Sequence, residues 1–165
     1  MVVRLPLRIT GTWEGPQITS AEDLRVRPAG PKDESFAFRV SEACIKPYAE
    51  QTWGDWDGEI DFDPARDQVV SHLGWDIGMM RVDRLADHWF LAKLYLLPPF
   101  QGDGLGSHLL KQVISDAATA RMPLRLSVLE VNPARRFYKR HGFVVTRSVP
   151  PRHFMELRPR RGPAP

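Results

Sequence analysis

The stretch Gln101-Gly102-Asp103-Gly104-Leu105-Gly106 constrains this chain more than any other. Glycines at 102, 104 and 106 permit left-handed backbone and leave no side chain over the amides. The stretch follows the apolar run Leu94-Tyr95-Leu96-Leu97-Pro98, and it opens a segment where Leu105, Leu109, Leu110, Val113, Ile114 and Ala117 recur at helical spacing. A glycine-rich turn between a strand and a helix start offers several free N–H groups and about half a positive charge from the helix dipole. Such a turn holds a diphosphate without a lysine.

Two common phosphate loops are excluded by spacing. The dinucleotide fingerprint Gly-x-Gly-x-x-Gly fails because Ser107 stands at the sixth position counted from Gly102, and Leu109 counted from Gly104. No Gly-Lys-Ser/Thr run occurs, so the nucleoside triphosphate loop fails as well.

Around the loop the periodicity alternates between two and three to four residues. Leu24-Arg25-Val26-Arg27 predicts a strand ended at Pro28-Ala29-Gly30-Pro31. Phe36, Val40, Ala43, Cys44 and Tyr48 predict a first helix, capped by Asp33 or Ser35 and bent at Pro47. Residues 68–73, 74–84 and 88–97 read as an antiparallel meander of three strands, 104–120 as a helix and 124–129 as a strand. Asn132 before Pro133 is a helix start, because the Asn side chain caps a free amide and Pro needs none at the first position. That helix ends at Gly142, and 143–145 and 154–157 close the fold as strands.

With 165 residues, 42% of them apolar, one compact domain is expected. Residues 1–22 read as an extension, 23–158 as the domain and the proline- and arginine-rich 159–165 as a disordered tail. The single cysteine, Cys44, gives no internal disulfide, and no run approaches the about 20 apolar residues of a membrane span, so a cytoplasmic protein without membrane association is expected. The net charge of +3 is divided unevenly: residues 121–165 hold eleven Lys/Arg against Glu130 and Glu156, a surplus of +9 that leaves −6 for the first 120 residues. This suits a cationic substrate and an anionic co-substrate on two sides of one cleft. Nucleic acid is not an expected partner, since the acidic front half opposes it and no groove-reading motif occurs. The histidines lack metal-ligand spacing, so no metal is expected.

The strand end at 94–98 followed by Gln101-x-x-Gly104-x-Gly106 resembles motif A of the GNAT superfamily of N-acetyltransferases. Asn132-Pro-Ala-Arg-Arg-Phe137-Tyr138-Lys-Arg-His-Gly142-Phe143 resembles motif B, in the expected order and at the expected separation. The resemblance implies an α/β (α+β) domain, with a mixed, mostly antiparallel sheet of six or seven strands flanked by four helices. It implies acetyl-CoA as co-substrate. Carried over residue by residue, the backbone of Leu94, Tyr95 and Leu96 would pair with the pantetheine arm. Gln101, Gly102, Asp103, Gly104, Leu105, Gly106 and Ser107 would hold the pyrophosphate, and Asn132 would touch the arm. Tyr138 would lie near the cofactor sulfur and protonate the leaving thiolate.

The acceptor half is less determined. Many relatives carry a glutamate on the strand before motif A, but here that stretch is Trp89-Phe90-Leu91-Ala92-Lys93. Glu130, or the acids between 55 and 63 acting through water, are the candidate bases. The segment around Trp53-Gly54-Asp55-Trp56-Asp57 resembles a Trp-Gly-x-x-Asp signature of one branch of the superfamily, which implies that Trp53, Asp55, Trp56 and Asp57 line the acceptor site. Two tryptophans beside carboxylates suit an ammonium group. The expected reaction is acetyl transfer to a primary amine of a cationic small molecule or peptide by direct attack in a ternary complex. The alternative is a domain of the same fold that binds acyl-CoA and catalyses nothing. A homodimer is expected by analogy only.

Overall fold

The computed structural model describes residues 20–159, so the extension expected over 1–22 and the tail expected over 159–165 fall almost wholly outside the described residues. In chain order the elements are β1 (Leu24–Pro28), α1 (Glu34–Cys44), α2 (Lys46–Trp53), β2 (Gln68–His72), β3 (Trp75–Arg84), β4 (Trp89–Leu96), α3 (Leu105–Thr119), β5 (Leu124–Leu129), α4 (Ala134–Arg140), β6 (Val144–Val149) and β7 (Arg152–Leu157). The strands form one sheet of seven in the order β1-β2-β3-β4-β5-β7-β6. Every neighbouring pair is antiparallel except β4 with β5.

The predicted first helix breaks in two at Ile45, two residues before the expected bend at Pro47, because proline supplies no N–H and opens the new helix at its first turn. Asp33, one of the two predicted residues, stands at the N-cap of α1, but its side chain makes no cap bond. The Asp33 carboxylate instead accepts from the Gly30 amide at 2.9 Å and pairs with Arg27 at 2.8 Å, which holds that carboxyl below its ordinary range. Asn132 does cap α4, its Oδ1 accepting from Ala134 N at 2.9 Å.

The core fills both sides of the sheet. Val40 of α1 and Val69, Ile77, Leu110, Leu124, Leu126 and Met155 are almost fully shielded from solvent. α1 packs against β3 and β4. α3 meets the opposite face, where a side-chain carbon at Gly106 would touch Leu96 at 3.8 Å and Phe137 of α4 at 3.7 Å. At Gly78 the spacing is much tighter: an added Cβ would stand 2.1 Å from the Tyr95 carbonyl oxygen, so only glycine lets β3 approach β4 here.

Two departures from regular pairing shape the sheet. β4 and β5 share only the register pairs Trp89–Leu124 and Phe90–Arg125, after which they splay apart while β5 continues along β7 as far as Leu129. β4 also carries a bulge, since consecutive Arg81 and Val82 oppose Lys93 and Leu91 and leave Ala92 without a partner. Beyond the bulge the alternation of β4 is inverted. Lys93 and Tyr95 therefore share a face with Phe90, and through the Phe90–Arg125 pair with Arg125 and Ser127 of β5.

Candidate active site

Six consecutive amides, those of residues 102 to 107, have no acceptor among the described residues. The first bond of the helix proper is His108 N to Gly104 O at 2.9 Å. Gly102 and Gly104 have φ of 93° and 83°, and an added Cβ at either would meet nothing within 4 Å. Open space therefore lies over a run of free donors at the start of a fifteen-residue helix, the arrangement that holds an anion. Gln101 differs from the rest of the loop: its Nε2 donates to the Leu96 carbonyl at 2.6 Å, so it ties the loop to the strand end.

The splay supplies the second half of the site. Leu97 N donates to Ile77 O at 2.8 Å, which fixes the alternation of the β3–β4 ladder. Tyr95 and Lys93 turn their backbone groups toward β3, whereas Leu94 and Leu96 turn theirs into the gap toward β5. The Leu96 carbonyl is already taken by Gln101 and by the Cys44 thiol, whose Sγ donates at 3.1 Å. The amides of Leu94 and Leu96 and the Leu94 carbonyl remain open to an extended ligand. Of the three residues expected to offer backbone, Tyr95 offers a side chain instead.

Tyr138 enters from α4, wedged edge-on between Phe137 and Phe143 at centroid distances of 5.2 and 5.7 Å. Burial pushes its phenol far above the usual tyrosine range, and the neighbouring Tyr95 adds to the shift. Tyr95 is itself pushed up to about 12, again chiefly by burial. No group among the described residues hydrogen-bonds either phenol. The Cys44 thiol, likewise raised by burial to about 12, stays protonated near neutrality.

A family model described as an acetyltransferase (GNAT) domain matches residues 65–145, which span the meander, the glycine loop, the splay and α4. The chain carries a GNAT acetyltransferase domain. Comparison with curated proteins gives no match. Among solved structures, the PaiA N-acetyltransferase of Thermoplasma acidophilum in complex with coenzyme A superposes with a TM-score of 0.69 at 16% identity, covering 82% of this chain and 98% of that one. An acetyltransferase of Thermus thermophilus gives 0.66 at 22% identity over 86% and 99% of the two chains. The ribosomal-protein-S18-alanine N-acetyltransferase of Escherichia coli gives 0.62 at 16%, over 84% and 96%. These likenesses establish a shared fold.

In this GNAT domain the residues expected to form the acceptor wall follow α2. Gly54 ends that helix with φ of 85°, and the chain to residue 63 has no regular structure. Trp53 is exposed, while Trp56 packs on Phe38 of α1 at 5.6 Å. The ring of Trp56 already carries a cation, Lys46 Nζ, 5.6 Å from its centroid. Asp55 and Asp57 are exposed, and each carboxylate accepts from a nearby backbone amide, that of Trp56 at 2.7 Å and Glu59 at 2.9 Å. Glu130 is exposed just past β5, its amide bound to the Pro151 carbonyl at 2.9 Å.

An ionic cluster not anticipated from the sequence roots this segment on the sheet. Lys93 Nζ donates to the Asp61 backbone carbonyl and to buried Asp67 at 2.8 Å, and Arg81 pairs with the Asp61 carboxylate. Arg81 holds the Asp61 carboxyl below its ordinary value. The stretch Trp89 to Lys93, which carries no carboxylate, thus ends in a lysine whose charge is already engaged. Among the described residues no group of three or more His, Cys, Asp or Glu could hold a metal, and no helix is long and apolar enough to cross a membrane.

Proposed function

We propose that this GNAT domain transfers an acetyl group from acetyl-CoA directly to a primary amine. The observation that carries the reading is the run of six free amides at 102–107, continuous with the open backbone edge of Leu94 and Leu96. Those amides hold the diphosphate, and the strand edge aligns the pantetheine arm as an added strand would. Bound acetyl-CoA supplies a thioester carbon open to nucleophilic attack.

The chain's own groups then have three tasks. The Leu96 N–H faces the gap and stabilises negative charge on the carbonyl oxygen, a role worth about 3 kcal/mol per donor in other acyl transfers. Tyr138, kept protonated by burial, delivers its proton to the departing sulfur. Glu130, or water ordered by the acids between 55 and 63, receives the proton of the amine. Cys44 is a poor nucleophile as a protonated thiol bonded to Leu96 O, which favours attack by the amine itself over a covalent enzyme intermediate. The exposed carboxylates of Asp55 and Asp57, with Trp53 and Trp56, form the wall that draws a cationic amine toward the cleft.

Titration calorimetry with CoA, followed by acetyl-CoA turnover over a panel of primary amines, tests this reading. Micromolar CoA binding with turnover of at least one amine is expected. Binding with no turnover of any amine would identify an acyl-CoA-binding module instead, and no binding would overturn both. For Tyr138→Phe, kcat falls by about 100-fold with the KM for acetyl-CoA little changed; an unchanged kcat removes Tyr138 from the proton transfer.

A further inference from the structure

Resting on the acetyltransferase reading, the geometry points to a second polar feature in the acceptor cleft, built from Tyr95 and Arg152. We infer that these two side chains receive a carboxylate of the acceptor, so that the substrate is an amine carrying an acid group close to its amino group.

The bulge at Ala92 turns the Tyr95 side chain to the face of the sheet shared by Ser127 of β5. Arg152 opens β7 opposite Leu129, and its Nη1 lies 3.4 Å from Ser127 Oγ, so it reaches along the same face toward the splay. Besides its burial, four groups act on the Tyr95 phenol, Cys44 first and then Arg152, Asp61 and Arg81, and the Cys44 thiol is neutral while it holds its proton. Asp61 and Arg81 are paired with each other and largely cancel. Arg152 meets no carboxylate among the described residues, in contrast to Arg27, Arg66, Arg81, Arg125 and Arg158. Arg152 is thus the one uncompensated charge of these four groups, beside a hydroxyl that has no hydrogen-bond partner among the described residues. An unpaired guanidinium at this point disfavours a bare ammonium, and a planar carboxylate answers both donors at once. The acids at 55 and 57 stand on the segment after α2, so a zwitterionic acceptor can offer its two charges to different walls.

The shared chemistry, a carboxylate near an amine, is found in a free amino acid and in a peptide whose second residue is Asp or Glu. Initial rates are measured for a free amino acid set against its amide, and for a peptide with Asp second set against one with Asn. Thermal shifts of the CoA-loaded protein with the same four compounds give a readout that does not depend on turnover. The wild type is expected to favour one acid over its neutral partner by about tenfold or more, as one charge-assisted hydrogen bond supplies, and to be stabilised only by that acid. Arg152→Gln removes the preference by raising the KM for the acid, with the KM for acetyl-CoA unchanged; Arg152→Lys retains part of it, and Tyr95→Phe weakens it. Which pair shows the preference decides between amino acid and peptide. Equal use and equal stabilisation by acid and neutral compounds, or an equal loss for both in Arg152→Gln, overturns the inference. Failure of the acetyltransferase reading has a different signature: no shift with CoA and no turnover of any amine, while the thermal shifts still decide whether the carboxylate binds.

Discussion

The glycine loop at 101–107 and the acidic segment at 54–63 are both irregular stretches attached to the ends of helices, yet they keep their polar groups in opposite states. In the loop, six backbone donors are unengaged and the only side chain that bonds, Gln101, bonds inward. In the segment, the carboxylates of Asp55, Asp57 and Asp61 already accept from an amide or an arginine. One surface awaits a ligand with its main chain, whereas the other has spent much of its polarity on holding its own shape. A recognition element built from backbone is indifferent to most side-chain changes, and one built from side chains depends on all of its supports.

The largest effect is expected where that dependence is greatest. Lys93→Met leaves the buried Asp67 carboxylate with the Asp63 amide at 2.9 Å and no cation nearer than Arg81 at 3.7 Å, and should lower stability by about 3 kcal/mol, read as a fall in Tm, while CoA affinity per folded molecule stays the same. A matching loss of CoA affinity would show that the two regions are not independent. Gly104→Val puts a β-branched residue at a φ of 83° and should weaken CoA binding by about 100-fold in calorimetry, with a much smaller change in Tm. Asp55→Asn with Asp57→Asn should raise the KM for the amine by about two- to fivefold, the value of exposed charges, and leave the KM for acetyl-CoA alone. The smallest effect concerns acid. Since Arg81 lowers the folded-state pKa of Asp61, its contribution is fully present above the ordinary value of 3.8 and fades as pH falls through the lower folded value. Denaturant titrations of wild type and Asp61→Asn should therefore differ at neutral pH and converge well below pH 3.8; a difference that persists there would place the role of Asp61 elsewhere.

What could be read in the sequence divides along the same line. Gly102, Gly104 and Asn132 answer backbone requirements that only a few residue types meet, so loop and helix start announce themselves locally. The strands and helices follow from period, and the break at Ile45 missed its predicted place by two residues, the span over which Pro47 acts. By contrast, Lys93, Asp67, Arg81 and Asp61 lie up to 32 residues apart and meet only through pairing of β3 with β4. Nothing local in Ala92 signals that it stands outside the ladder. Lys46 opens α2 and covers Trp56, which lies beyond that helix on Phe38 of α1, a contact between segments and not a property of either. Gly78 is a glycine within a predicted strand, and because a Cβ there would lie 2.1 Å from the Tyr95 carbonyl oxygen, its bare backbone is the reason β3 and β4 can pair at Leu96.

The unpaired Ala92 sets the parity of the strand that follows it. Draw Ala92 into the ladder and keep the strand before it in place: Leu94 and Leu96 would exchange faces with Lys93 and Tyr95, bringing two aliphatic side chains to the face of α1 and a buried ammonium to α3. What this face of the sheet can offer a ligand thus depends on a count, odd against even, made at a position whose own side chain is a single methyl group.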